Sequence, residues 1–346
     1  MKKKGFTAAV SGIIFFAFLF TFPKEFSSGF TTGLVNCGNV VIPSLFPFLV
    51  ASSLAGSGEL PKALKKVAEP ITHRLFHLPA DALPAIILGQ LGGYLSGAKA
   101  VDSLYSSGII NRTQAQKLLL FCVNSGIGFS VNAVGNALLS SRKAGRILLI
   151  SLCISSILIG FLIRFIPDKS EETKPLNIHS VPFSSAVVNS VSSAASAMLG
   201  CCGFVCIFSG ISAVTSSLIK NQILNLIFGC ILEVTSGCAS AACKVSLPVI
   251  AAACAFGGLC VHMQIISVSR DFGINLPLFF LFRILHSAFA YAVCRIILYF
   301  HPIEEQVFIS VSENIQLWSF SAPAAISLLF LCSLLILDLD NNKKIC

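Results

Sequence analysis

Long apolar segments set the strongest limit on what this chain can fold into, because a helix crosses a bilayer with about 20 mostly apolar residues. Of the 346 residues, 55% are hydrophobic and only 11% are charged. Backbone groups inside lipid must be hydrogen-bonded within the protein, so such segments are predicted to be helices. The sequence therefore predicts an all-α polytopic membrane protein. The apolar segments lie approximately at residues 6–22, 30–57, 83–107, 114–139, 145–165, 183–217, 222–243, 247–267, 275–299 and 317–337.

The basic residues predict orientation in a membrane. The net charge is +9, but Lys and Arg occur in short clusters beside apolar segments rather than in a stripe with interleaved aromatics. Such clusters favour the cytoplasmic side, facing anionic lipid. We therefore expect a lipid bilayer as partner, no nucleic acid, and both termini in the cytoplasm. One cluster disagrees, since Arg142–Arg146 falls in a loop that this orientation places outside.

Polar residues and glycines interrupt four of the apolar segments. Polar groups inside an ordinary membrane-spanning helix are energetically unfavourable, so these four segments are not expected to be simple spans. Two of these segments share a pattern and suggest an internal duplication. If each half contains three crossings, the second copy is inverted, as in many secondary transporters. The sequence thus predicts about eight spanning helices, two re-entrant hairpins and an inverted repeat. The matching stretches are "ILGQLGGYLSGAK" (87–99) with "ILEVTSGCASAACK" (231–244), "GRILLIS" (145–151) with "FRILHSA" (282–288), and "GLVN" (33–36) with "AVVN" (186–189).

The predicted domain boundaries follow from the charged, proline-containing stretch between the halves. They are an N-terminal transmembrane helix (1–29), a first repeat (30–166), a charged linker (167–182), a second repeat (183–301), and a C-terminal transmembrane helix with its tail (302–346).

Glu233 is the sharpest candidate for function, because a carboxylate at membrane depth is costly unless it is paired or faces water. One interpretation makes it a proton, cation or polar-solute site. The other makes it a structural ion pair with Lys99 or Lys244. Those two lysines occupy matching places in the hairpins, where they either contact a solute or extend to the membrane interface.

Polar side chains at the other interruptions complete the candidate substrate pathway. Unwound backbone beside glycine exposes groups that can bind a ligand. Close helix packing is the alternative, and the four-residue spacing of Gly89, Gly93 and Gly97 fits it too. His262 is either a hydrogen-bonded packing residue or, with Glu233, a proton relay. The remaining pathway candidates are Gln90, Tyr94, Asn124, Ser125, Thr235, Ser236 and Gln264.

Enzyme motifs such as G-x-S-x-G, H-E-x-x-H and the P-loop do not occur in the sequence. The 14 cysteines are scattered without paired C-x-x-C spacing. Buried thiols usually behave as small apolar groups. We predict no catalytic residues, no metal and no cofactor. We expect Arg283, His286 and Arg295, spaced along one predicted helix, to serve packing or lipid headgroups.

Three stretches resemble a known family: "LFPFLVASSLAGSG" (45–58), "GQLGGYLSGAKAVDSLYSSGIINRTQAQKLLLFCVNSG" (89–126), and "FGGLCVHMQIISV" (256–268) with "LFFLFRILHSAFAY" (278–291). They are similar to YlbJ-type sporulation integral membrane proteins, within the wider group that carries the nucleoside-recognition, or Gate, domain. The resemblance implies a location in the membranes of a sporulating cell and a role in forming resistant endospores.

Two functions fit this sequence. The first is transport or gating of a small polar solute needed by the spore, through a pathway that the polar hairpins line. The second is a non-transporting membrane scaffold that assembles spore envelope or cortex factors, with other sporulation membrane proteins or a second copy as partners. In the scaffold the hairpins are packing devices.

Overall fold

A computed structural model describes residues 2–55, 60–166, 183–242 and 244–303. All regular structure in these residues is helical, which confirms the predicted all-α class. The predicted linker 167–182, and the predicted C-terminal segment 302–346 apart from its first two residues, lie outside the described residues. The helices are α1 (Lys2–Thr21), α2 (Pro23–Asn36), α3 (Ile42–Ala55), α4 (Lys62–Phe76), α5 (Leu83–Leu91), α6 (Tyr94–Ser106), α7 (Arg112–Phe121), α8 (Arg142–Ile163), α9 (Phe183–Leu218), α10 (Gln222–Leu232), α11 (Val234–Ala241), α12 (Leu247–Phe256), α13 (Gly258–Val268) and α14 (Leu276–Phe300).

Five of these helical stretches are long and apolar enough to cross a membrane, which confirms the polytopic membrane class for the part of the chain that the structure describes. Their outer surfaces carry the apolar side chains that lipid requires, such as Ile150, Ile154 and Ile157 on α8. The stretches are Pro23–Ala55, Arg142–Ile163, Ser184–Leu218, Leu247–Val268 and Leu276–Phe300.

Two irregular helical segments interrupt the α-helical geometry. Cys37–Val41 forms a π-helical turn between α2 and α3, and Gly128–Leu138 is π-helical after α7. Pro43 explains the first, because a proline has no N–H to donate and its ring crowds the preceding turn. At the N-terminus, Pro23 starts α2, so the predicted domain boundary at residues 29/30 falls inside that helix.

The two halves of the chain present their elements in the same order. The first half runs from the long α2–α3 helix through the pair α5–α6 and the interrupted α7 to α8. The second runs from the long α9 through the pair α10–α11 and the interrupted α12–α13 to α14. In both halves the last helix packs on the interrupted element before it, and α8 packs against α14. The amphipathic α4 belongs to the first half alone among the described elements.

The pairs α5–α6 and α10–α11 are helical hairpins held together by glycine. A methyl group added at Gly97 would lie 2.9 Å from the Cα of Gly89, on the opposite arm. In the second pair, a methyl group at Gly237 would lie 2.5 Å from the Cα of Cys230. Side chains larger than hydrogen would separate the arms, so the close packing predicted from small residues is present in both hairpins.

Two ends of the molecule can be distinguished by the loops that meet there. At one end, the Arg112 Nε donates to the Phe272 carbonyl at 2.7 Å, joining the turns after α6 and after α13. At the other, the Lys143 Nζ donates to the Pro302 carbonyl at 3.0 Å, joining the turn before α8 to the end of α14. The basic cluster at Arg142–Arg146 therefore shares an end with residues 301–303.

Candidate functional site

The four interruptions that the sequence predicts meet around one central cavity of about 60 Å³. That volume holds a few water molecules, and a cavity needs polar groups to retain them. Both hairpin tips, the break after α7, the π-turn before α3 and the middle of α9 form its wall. The polar or ionisable side chains in that wall are Ser44, Tyr94, Cys201, Glu233, Thr235 and Gln264.

The first hairpin turns at Gly92–Gly93, and Gly93 has φ +106°, a conformation that favours glycine. The break after α7 packs directly against this tip. A methyl group at Gly126 would lie 2.5 Å from the Gly93 nitrogen and 2.6 Å from the Leu91 carbonyl oxygen. Within the described residues no side chain caps the start of α6. Gly93 and Tyr94, at the start of α6, line the cavity, so the first-turn N–H groups of this helix lie beside it.

The second hairpin turns at Glu233, which is 2% exposed and caps the start of α11. One carboxylate oxygen accepts from the Thr235 N–H at 2.9 Å, and the other accepts from the Ser236 N–H and Oγ, both at 2.7 Å. A helix N-terminus favours such a negative charge. Among the described side chains that line the cavity, Glu233 is the one acidic residue. Lys99, a proposed ion-pair partner, instead binds the Asp102 carboxylate at 2.9 Å.

A contact between the two halves lies beside the cavity. The Tyr94 hydroxyl, at the start of α6, donates to the carbonyl of Cys254 near the end of α12. A methyl group at Gly258, just after the α12–α13 break, would lie 3.2 Å from the Val234 nitrogen at the second hairpin tip. Each hairpin tip thus packs on the interrupted helix that follows it, and Tyr94 joins the two assemblies.

Arg283, in the second half of the chain, caps the C-terminal end of α7 in the first half. It is 1% exposed, and its guanidinium donates to the carbonyls of Leu120 at 2.5 Å and Val123 at 2.6 Å. These carbonyls lack helical partners because α7 stops at Phe121. A cation also suits a helix C-terminus. The sequence placed Arg283 in packing or at headgroups, and nothing local in "FRILHSA" indicates a capping role.

A network of buried polar side chains lies at the break after α7, outside the lining of the central cavity. It consists of Gln90, Asn124 and Ser125. The Gln90 amide donates to Ser156 Oγ at 2.7 Å and to the Phe121 carbonyl at 3.2 Å. Asn124 donates to the Gln90 side-chain oxygen at 2.9 Å, and its own oxygen accepts from the Ser125 N–H at 2.8 Å. All three are buried, and the network pairs backbone groups that the break leaves open.

His262 and Gln264 lie at the α12–α13 break but face different surroundings. The His262 Nε2 is 2.8 Å from the Phe256 carbonyl oxygen, and its ring packs edge-on against Phe256, Phe279 and Phe280. Gln264 lines the central cavity, and its amide contacts Cys260 Sγ at 3.3 Å. The structure therefore places Gln264, rather than His262, on the cavity wall with Glu233.

Lys99 and Lys244 lie away from the central cavity. Lys99 lines a second cavity toward the C-terminal end of α6, and Lys244 is exposed in the turn between α11 and α12. On α14, Arg283 and His286 are buried whereas Arg295 is exposed, so these three residues do not share one environment.

The fold and the cavity together define an integral membrane protein in which interrupted helices surround a small cavity with one acidic side chain. The sporulation integral membrane protein YlbJ of Bacillus subtilis (strain 168) is 26% identical to this chain over 162 residues. The match covers 46% of this chain and 40% of the relative, so the chain is similar to less than half of that protein. No family model matches the chain, and no solved structure matches it.

Proposed function

We propose that this protein acts in the membranes of a sporulating cell, where it transports or gates a small polar solute needed for a resistant endospore. The similarity to a sporulation membrane protein supports the setting. The shared order of elements in the two halves supports an inverted repeat. In this proposal α5–α6 and α10–α11 are re-entrant hairpins that enter from opposite sides. The eight spans include one in the C-terminal segment beyond the described residues.

The observation that carries the proposal is the Glu233 carboxylate in a cavity between two hairpin tips. Intramembrane charges are kept where they serve a pathway, because their burial is otherwise unfavourable. Glu233 is held by three hydrogen bonds from its own helix start, so it needs no cation to stay buried. Its remaining lone pairs can accept from a solute or exchange a proton. Tyr94, Thr235 and Gln264 share the same wall.

Roles follow from position. Tyr94, Glu233, Thr235 and Gln264 contact the solute, with Glu233 as the charge-coupling group. Lys99 and Lys244 lie toward the two ends of the pathway. In this proposal the pathway uses no cofactor or metal and leaves the solute chemically unchanged. The remaining candidates, Gln90, Asn124, Ser125, Ser236 and His262, hold the interrupted helices in shape around the cavity.

The test replaces Glu233 with Gln in spore-forming cells that depend on this protein. Glutamine keeps one acceptor for the cap but removes the charge. Asn221→Ala is the matched control, because Asn221 caps α10 through the Ile223 and Leu224 N–H groups and is exposed. Asn221→Ala weakens the cap of α10 by about 1 kcal/mol, and Glu233→Gln weakens the cap of α11. We expect normal protein levels in both, and loss of spore heat resistance in Glu233→Gln alone.

The scaffold function draws support from the glycine packing of both hairpins. A scaffold would tolerate Glu233→Gln, giving heat resistance equal to Asn221→Ala at equal protein level. That result would reject transport through the central cavity.

A further inference from the structure

A second cavity, of about 260 Å³, lies between α3, α6 and the start of α9. We call it the α3–α6–α9 cavity. It is larger than the central cavity but slightly below the range of about 300–1,000 Å³ usual for ligand pockets, so it suits a small solute. Nine of the ten residues that line it carry a polar or charged side chain. The lining includes Ser53, Lys99, Asp102, Ser103, Asn189 and Ser190.

An incomplete ion pair lies in this wall. The Lys99 Nζ and the Asp102 Oδ2 are 2.9 Å apart, and the side chains are 15% and 10% exposed. The other carboxylate oxygen, Asp102 Oδ1, is buried and has no hydrogen-bond partner among the described residues. The Ser53 Oγ, which is also buried, has none either. Buried polar atoms are normally paired, so both atoms call for a partner that the described chain does not supply.

The charge and the wall chemistry limit what that partner can be. Lys99 neutralises Asp102, so the ion pair offers no net charge to attract an ion. Asp102 Oδ1 can only accept, whereas the serine hydroxyls and the Asn189 amide can both donate and accept. We propose that the α3–α6–α9 cavity binds an uncharged solute that carries several hydroxyl groups, one of which donates to Asp102 Oδ1. The proposal rests on the proposed function, as the first binding site on its pathway.

The same three helices connect this cavity to the central one. Ser53, Lys99 and Ser193 line the α3–α6–α9 cavity. Leu45, Tyr94 and Cys201, on the same three helices, line the central cavity. Ser193 and Cys201 are eight residues apart on α9, which is about 12 Å at about 1.5 Å per residue. Buried apolar side chains fill the interval, contributed by Leu49, Leu95, Ala194 and Met198.

The experiment uses the full chain in lipid nanodiscs and the uncharged polyol sorbitol as the probe, with binding followed by saturation-transfer NMR. We expect a saturable signal from the wild type. Two variants act on the cavity independently. Asp102→Asn replaces the acceptor-only oxygen, and Ser193→Leu fills the space while both residues of the ion pair are kept. Each should reduce the signal at least fivefold while the nanodisc particles remain monodisperse.

The control removes a different Lys–Asp ion pair, in which the Lys65 Nζ and the Asp81 Oδ2 are 3.0 Å apart. The double variant Lys65→Gln/Asp81→Asn should bind sorbitol like the wild type. The proposal would be overturned if the wild type gave no saturable signal or if all variants gave equal signals. It would also be overturned if zwitterionic glycine or cationic putrescine displaced sorbitol more strongly than the uncharged polyol xylitol does. If sorbitol binds at this cavity but Glu233→Gln spores keep full heat resistance, the binding site stands and the transport function falls.

Discussion

Single polar side chains cap the helices that end inside this protein. Glu233 caps the start of α11, and Arg283 and Gln90 pair the open carbonyls at the end of α7. Each group satisfies backbone atoms that water cannot reach. A polar residue in an apolar stretch is therefore a signature of a chain break as much as of a ligand site. The cavity wall separates the two roles, since Glu233 lines it and Gln90 and Arg283 do not.

Replacing Arg283 with Met should prevent accumulation of the protein. The change leaves two buried carbonyls without donors, at about 1–3 kcal/mol for each. Arg295→Met is the control, because Arg295 is exposed on the same helix, and it should accumulate normally. The measurement is the level of each variant in isolated membranes. Normal levels of Arg283→Met would show that the α7 end is stable without this cap.

At the scale of elements, glycine allows the first hairpin to receive the broken end of α7. Added methyl groups at Gly89 and Gly97 would lie 2.0 Å and 1.7 Å from the Cys122 carbonyl oxygen. Backbone atoms cannot move aside as a flexible side chain can, so both positions require hydrogen. The α5–α6 hairpin and the α7 break are therefore one packed unit.

Gly97→Ala should destabilise the protein strongly, whereas Gly203→Ala should not. Nothing lies within 4 Å of a methyl group added at Gly203, on the exposed side of α9. Alanine there should raise stability by up to about 1 kcal/mol, since it favours a helix over glycine. Thermal unfolding of the purified variants measures both. Equal unfolding temperatures for the two variants would contradict the packing of Cys122 against the hairpin.

The sequence predicts the positions of the breaks better than their contacts. Gly92–Gly93, Asn124–Gly126, Glu233 and Gly257–Gly258 each coincide with a helix end, because glycine and polar groups weaken an apolar helix locally. Partners such as Tyr94 with Cys254, or Arg283 with Leu120, join residues about 160 apart. Such pairs depend on how the halves pack, and local composition carries no information about them. Lys99 is a different case, because its partner is Asp102, three residues along the same helix, and not Glu233. That spacing is visible in the sequence, since residues three apart on a helix are neighbours.

At the scale of the whole molecule, the contacts between loops bear on the proposed topology. The turns near Arg112 and Phe272 share one end, and those near Lys143 and Pro302 share the other. In the proposed inverted-repeat topology the first end is cytoplasmic, with the re-entrant hairpin α5–α6 opening to the cytoplasm and α10–α11 opening to the outside. This arrangement accepts a basic cluster at Arg142–Arg146 on the outer side, against the usual charge preference.

Reporter fusions test this topology. Green fluorescent protein fused after Ile110 or Ile166 should fluoresce, and alkaline phosphatase fused after Ser140 or Ile303 should be active. The reverse assignment, phosphatase activity after Ile110 and Ile166, would place the α5–α6 hairpin outside. Matching activity at Ile110 and Ser140 would mean that α7 and its π-helical continuation do not cross the membrane, and the inverted repeat would then be wrong.

The most direct test of a solute pathway through the central cavity compares the polar metabolites of mature spores. The spores come from the wild type, from a strain lacking the protein, and from strains carrying Glu233→Gln or Asn221→Ala. We predict that Glu233→Gln reproduces the change in metabolite content caused by loss of the protein, while Asn221→Ala matches the wild type. A Glu233→Gln strain with normal protein level and wild-type metabolite content would contradict the proposed pathway.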